Sequence, residues 1–138
     1  MVPYPLAITS GRTWHLAIVL MAIFISLSGC ITFTCDETRS AGVEDVSGPS
    51  AGIVGEDIAI SVTFYATNGC GSFHSMSDSQ SGNVITVEGK VKYTGCICPE
   101  VLVTFGEQYI FKASIPGTYE IIFSGLGSNS ITHTITIN

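Results

Sequence analysis

The sequence predicts an all-β fold, a two-sheet sandwich of about seven antiparallel strands in roughly 90 residues. From about residue 51 onward, apolar and polar residues alternate with a period of two, and turn residues interrupt the alternation at short intervals. No helix-length window in this region carries apolar residues at i, i+3, i+4 and i+7. Charged residues make up only 12% of the chain, which also disfavours charged amphipathic helices.

Residues 1–29 are predicted to be a helical signal peptide that directs export and is removed from the mature protein. Arg12, with His15 nearby, supplies a weak positive region before an apolar block over 16–27. Twelve residues are too few to cross about 30 Å of hydrocarbon, which requires about 20 helical residues. A signal peptide is therefore favoured over a transmembrane helix.

The apolar block ends in Leu27-Ser28-Gly29-Cys30. This motif resembles the lipobox of bacterial lipoproteins, in which cleavage before the cysteine is followed by its modification with diacylglycerol and palmitate. The resemblance implies a membrane anchor at Cys30, and Ile31 after it implies sorting to the outer membrane, on a face left undecided. A plain secretory signal with an unmodified cysteine remains the alternative.

Residues 30–50 are predicted to be the lipidated N-terminus and a flexible tether. The segment is rich in Ser, Gly, Thr and acidic residues, has no sustained apolar period, and ends in Ser47-Gly-Pro-Ser50. The sandwich is expected to occupy residues 51–138.

Strands are predicted in order along this domain. The first covers 58–66, a short one covers 73–77 before a loop over 78–82, and the next lies within 83–95. A short β-rich run covers 101–105, and Tyr109, Phe111 and Ala113 follow it before a turn over 115–117. Strands near 119–123 and 131–137 flank a hairpin turn over 125–129. The expected inward side chains alternate and are Ile58, Ile60, Val62, Phe64, Ala66, Ile85, Val87, Val91, Tyr93, Tyr109, Phe111, Tyr119, Ile121, Phe123, Ile131, Ile135 and Ile137.

The segment Ile115-Pro-Gly-Thr-Tyr119 leads into one of these strands. It resembles the Pro-Gly-x-Tyr start of the penultimate strand in bacterial immunoglobulin-like and fibronectin-type modules. The resemblance implies an immunoglobulin-like antiparallel sandwich, in which Tyr119 forms a tyrosine corner by hydrogen bonding back to the main chain. The only tryptophan, Trp14, lies in the signal, so the core tryptophan of antibody domains is absent.

Four cysteines remain after Cys30, and an even number in an exported chain favours disulfides. Cys70 and the pair Cys96 and Cys98 follow predicted strands, so a bridge from Cys70 to either of them is expected. Cys35 either pairs with the cysteine left over or stays free.

A metal or small-ligand site is the alternative use of these residues. Cys70, His74, Cys96 and Cys98 could supply soft or borderline ligands. The spacing is not that of a zinc site, and an oxidising compartment favours disulfides, so no metal and no cofactor are expected.

Enzymatic activity is not expected, because the sequence contains no nucleophile elbow, metalloprotease motif, phosphate loop or dinucleotide fingerprint. The net charge of −6 without a basic stripe argues against nucleic acid as a partner. The sequence thus predicts a non-catalytic envelope lipoprotein that binds protein or glycan or has a structural or adhesive role. Its expected binding loops are 68–73 and 77–82, since loops on a rigid scaffold often carry recognition.

Overall fold

A computed structural model describes residues 35–138, and in this range it consists of strands and turns. The predicted signal peptide over 1–29 and Cys30 lie outside the described residues. Within 35–138, no helix has the length and apolar character that crossing a bilayer requires. The nine strands are β1 Glu37–Ser40, β2 Gly42–Ser47, β3 Ala51–Gly52, β4 Ile58–Ala66, β5 Gly71–Ser81, β6 Val84–Tyr93, β7 Val103–Phe111, β8 Gly117–Ser124 and β9 Ser130–Ile137.

The strands form two sheets, one of six strands and one of three. The smaller sheet has the order β2-β4-β7. In the larger sheet, β5 pairs antiparallel with β6 over the whole length of β6. On the opposite edge of β6, β8 lies beside residues 84–88 and β1 beside residues 90–93. Strand β9 then pairs with β8, and the short β3 pairs with β9.

The predicted all-β sandwich is confirmed, but its larger sheet is mixed, whereas the smaller sheet is purely antiparallel. Strands β6 and β8 pair in parallel, and so do β3 and β9. Between β6 and β8 the chain crosses to the smaller sheet to form β7. It therefore returns to the larger sheet in its original direction, as parallel pairing requires.

The core lies between the two sheets and is apolar throughout. Strands β4 and β6 show the strict alternation of buried and exposed residues that the sequence predicts. The two sheets approach closely at Gly89 on β6, where an added Cβ would lie 2.6 Å from the Phe64 ring. The largest fully buried side chains are Tyr119, Phe64, Phe123, Ile60, Ile85, Ile121, Ile135, Ile137, Val43, Val62, Val87 and Val91.

The predicted flexible tether is wrong for residues 37–47, which form β1 and β2. Strand β1 pairs with β6, and β2 pairs with β4, so both are part of the sandwich. Ala41, which lies between the two strands, is 1% exposed, and Val43, which lies in β2, is 2% exposed. Backbone pairing holds these polar strands in place, and burial of two small apolar side chains adds to it.

The loop predicted over 78–82 is also wrong for most of its length. Residues 78–81 belong to β5, which pairs with β6 up to Ser81 and Val84. Only Gly82 and Asn83 form the turn, and Gly82 has φ +62°. A glycine with positive φ at the first central position is typical of the type II′ hairpin turn, which suits the twist of the strands.

Tyr119 is 2% exposed at the start of β8 and packs on Phe111, with ring centroids 5.2 Å apart. Its hydroxyl donates a 2.9 Å hydrogen bond to the carbonyl oxygen of Ile115.

We expect Tyr119→Phe to lower the unfolding free energy by about 1–2 kcal/mol, because a part-buried carbonyl loses its donor. Urea unfolding followed by circular dichroism measures this loss. The same substitution at half-buried Tyr65 is the control and should change stability by less than about 0.5 kcal/mol; equal effects at both positions would contradict the role of the Tyr119 hydroxyl.

Candidate functional site

Two disulfides join three chain segments at one end of the sandwich. Cys35 bonds to Cys96 with a Cα–Cα distance of 5.1 Å, and Cys70 bonds to Cys98 with a Cα–Cα distance of 5.4 Å. The segments are the start of the described chain before β1, the turn after β4, and the loop over 95–102 after β6. We call this region the disulfide-linked end.

Local hydrogen bonds fix the turn after β4 against the 95–102 loop. The Asn68 side-chain oxygen accepts from the Cys70 backbone amide at 3.0 Å, and the Gly69 amide donates to the Pro99 carbonyl at 2.9 Å. A Cβ at Gly69 would lie 2.6 Å from the Pro99 ring, so this contact requires glycine. Gly95 has φ +122°, a conformation that also favours glycine.

A shallow polar cleft of about 220 Å³ lies between these segments. An ion pair between Arg39 and Glu37 borders it, and the hydrogen bond from this pair raises the pKa of Arg39 above its usual value. The Tyr93 hydroxyl at its wall accepts a 3.0 Å hydrogen bond from the Thr67 amide. The lining residues are Cys35, Glu37, Arg39, Asn68, Tyr93, Gly95, Cys96 and Cys98.

The cleft offers polar and ionic contacts to a small polar group, but it offers no cysteine nucleophile. All four cysteine sulfurs of residues 35–138 are in disulfides. For the same reason Cys70, Cys96 and Cys98 present no thiolate to a metal. The remaining residue of that alternative, His74, is exposed at a β-bulge in β5, away from the register of its neighbours Phe73 and Ser75.

Exposed apolar side chains lie on the 95–102 loop, of which Gly95, Cys96 and Cys98 line the cleft. Ile97, between the two bridged cysteines, is 95% exposed, and Val101 and Leu102 on the same loop are 52% and 64% exposed. The disulfide-linked end therefore combines a charged cleft with a rigid apolar loop.

A family model for the ORF11 beta-sandwich domain matches residues 60–137, more than half of the chain. The chain belongs to this family. No curated protein and no solved structure matches the chain.

The matched ORF11 beta-sandwich domain begins within β4 and ends in β9. It includes Cys70, Cys96 and Cys98, so the Cys70–Cys98 bridge is internal to it. Cys35 and strands β1 to β3 lie before the match. The Cys35–Cys96 bridge thus ties the preceding segment to the ORF11 domain.

The structure brings together some of the residues predicted from sequence and separates others. The four cysteines meet at the disulfide-linked end, with Cys70 on Cys98 and Cys35 on Cys96. The predicted binding loops 68–73 and 77–82 are wrong for 71–73 and 77–81, which belong to β5. Only 68–70 and Gly82 remain outside this strand, at its opposite ends. Cys30 lies outside the described residues.

Sequence reasoning missed the apolar loop of the ORF11 domain. Val101 and Leu102 were expected to begin a strand, but β7 starts at Val103. The available signal was Ile97 itself, a β-branched apolar residue between two cysteines and two residues before Pro99. Such a short, cross-linked segment cannot turn an apolar side chain into the core.

Proposed function

We propose that this protein is a lipid-anchored module of a bacterial cell envelope, exported by its N-terminal segment and held at the membrane through Cys30. The observation that carries the proposal is the pair of disulfides, because disulfides persist in oxidising compartments outside the cytoplasm. The apolar block over 16–27 and the Leu-Ser-Gly-Cys30 motif add independent support from the sequence.

We further propose that the domain is non-catalytic and contacts a protein or glycan of the envelope. The cross-linked sandwich is a rigid scaffold, and such scaffolds present binding surfaces at their ends. Exposed apolar side chains support a contact role for the end opposite the disulfides. There Ile53 and Ile115 are 65% and 59% exposed, and the Gly55 amide bonds to the Ala113 carbonyl between them.

The metal or small-ligand function based on Cys70, His74, Cys96 and Cys98 has less support. Metal binding there requires thiolates, and the three sulfurs are engaged in bridges. A small-ligand pocket there would include Cys70 and His74, and neither of them lines the cleft. No second function is therefore proposed.

Cys30→Ala in the full chain tests the anchor. We expect the unaltered protein to sediment with membranes of a Gram-negative host and its N-terminal peptide to carry acyl chains. Each buried acyl CH₂ contributes about 0.8 kcal/mol to membrane binding. The variant should therefore be found almost entirely as a soluble protein or as the unprocessed precursor. The measurements are membrane fractionation and mass spectrometry of the N-terminal peptide.

The matched control is the double variant Cys35→Ser/Cys96→Ser, which removes two other cysteines and should remain on the membrane. An unmodified Cys30 or an intact leader in the native protein would overturn the proposed anchor.

A further inference from the structure

The 95–102 loop, at the disulfide-linked end, exposes several apolar side chains to solvent. Ile97 is almost fully exposed, and Val101 and Leu102 lie more than half exposed beside it. Single exposed apolar residues are common, but a group of three on one loop indicates a surface that something covers.

The loop is rigid, so this exposure is built into the structure. The residues on both sides of Ile97 are cross-linked, Cys96 to Cys35 and Cys98 to Cys70. The Pro99 carbonyl accepts from the Gly69 amide. Ile97 cannot turn inward without breaking these links, and a loop held in this way loses little backbone conformational entropy when it is covered.

The position of this loop along the chain indicates what covers it. Cys35 is bonded to Cys96, the residue next to Ile97, and Cys30 precedes Cys35 by five residues. Five residues span at most about 18 Å when fully extended. A membrane anchor at Cys30 therefore keeps the loop close to the bilayer surface.

The charges near the loop point to an apolar rather than an electrostatic contact. Glu100 lies on the loop, and the nearby basic residues Arg39 and Lys92 are paired with Glu37 and Asp36. The whole chain carries a net charge of −6. Such a surface gains nothing from anionic headgroups, so apolar burial in neutral lipid is the favourable contact.

We propose that Ile97, Val101 and Leu102 insert into the interfacial region of the lipid bilayer and dock the disulfide-linked end on the membrane. This inference rests on the proposed anchor. Docking orients the sandwich, since Val84 at the other end of β6 and Ile53 beside the end of β9 then face away from the bilayer. The anchor provides attachment, and the loop sets which end of the domain faces outward.

The test places a single tryptophan at the loop of the full chain. In a Trp14→Phe background, Ile97→Trp is reconstituted into phosphatidylcholine vesicles whose acyl chains are brominated near the headgroup. We expect blue-shifted emission and strong loss of fluorescence by bromine quenching. Ile53→Trp, a matched exposed isoleucine at the other end, should keep its emission and resist quenching.

Flotation of the same vesicles distinguishes a failure of the Cys30 anchor from a failure of the loop docking. If both variants float and bromine quenches the Ile97→Trp variant but not the Ile53→Trp variant, the docking is supported. If both float and neither variant is quenched, the docking is wrong and the anchor stands. If neither floats, the anchor and the docking fail together.

Discussion

Phe64→Ala should lower the unfolding free energy by about 3–5 kcal/mol, the usual cost of removing a fully buried aromatic ring. Phe64 is 0% exposed in β4 and stacks on Phe73 with centroids 5.9 Å apart. Its ring also rests against the backbone at Gly89, where the two sheets come closest. A cavity at this point removes contacts from both sheets, and neither sheet can move in to fill it because main-chain pairing fixes the strands.

The loss is large relative to the roughly 5–15 kcal/mol that stabilises a domain. Guanidinium unfolding of the purified chain measures it, with the midpoint and slope compared between variants. Ile110→Ala is the control, because Ile110 is 52% exposed on β7 of the same sheet and should lose about 0.5 kcal/mol or less. A Phe64→Ala loss below about 1 kcal/mol would contradict the closely packed contact that we describe.

Cys35→Ser/Cys96→Ser should lower stability by up to about 4 kcal/mol and release β1. The bridge joins residues 61 positions apart, so in the chain-entropy model its removal frees a long loop in the unfolded state. In the folded state, β1 is a four-residue strand paired only with β6, and Cys35 lies just before it. Without the bridge, we expect the amides of 37–40 to lose their protection from hydrogen exchange.

The matched control for this variant is Cys70→Ser/Cys98→Ser. That bridge spans only 28 positions, so its removal should cost slightly less, about 3.5 kcal/mol. It also leaves β1 tethered, and exchange in 37–40 should stay slow. Equal exchange in the two variants would show that β6 pairing alone holds β1.

The central strands could be predicted from the sequence because each has one buried face. In β4 and β6, burial selects every second residue, and a shift by one position would place Phe64 or Val87 in solvent. The same argument predicted β8 and β9 correctly.

The edge strands could not be predicted in this way. Strand β1 reads Glu-Thr-Arg-Ser, and most of β5 after Met76 is exposed on both faces, so neither carries an alternating pattern. Their position is fixed by pairing to β6, a long-range effect that local composition does not contain. The parallel pairing of β6 with β8 depends likewise on where β7 lies.

The site could be predicted only in part, for a related reason. The number of cysteines indicated disulfides, but their partners depend on which strand ends meet. Cys96 and Cys98 are two residues apart, and only the fold decides that one reaches the segment before β1 and the other the turn after β4. The exposed apolar loop was hidden because Val101 and Leu102 look like strand residues.

The parallel contact between β3 and β9 has a consequence for the order in which the protein matures. Ala51 pairs with Thr136, and Gly52 pairs with Ile137. Strand β3 therefore cannot pair until its partner is synthesised some 85 residues later. At about 5–20 residues per second, translation leaves this gap open for several seconds. During that interval β3 has no partner, so the six-stranded sheet cannot be completed before residues 136 and 137 are synthesised.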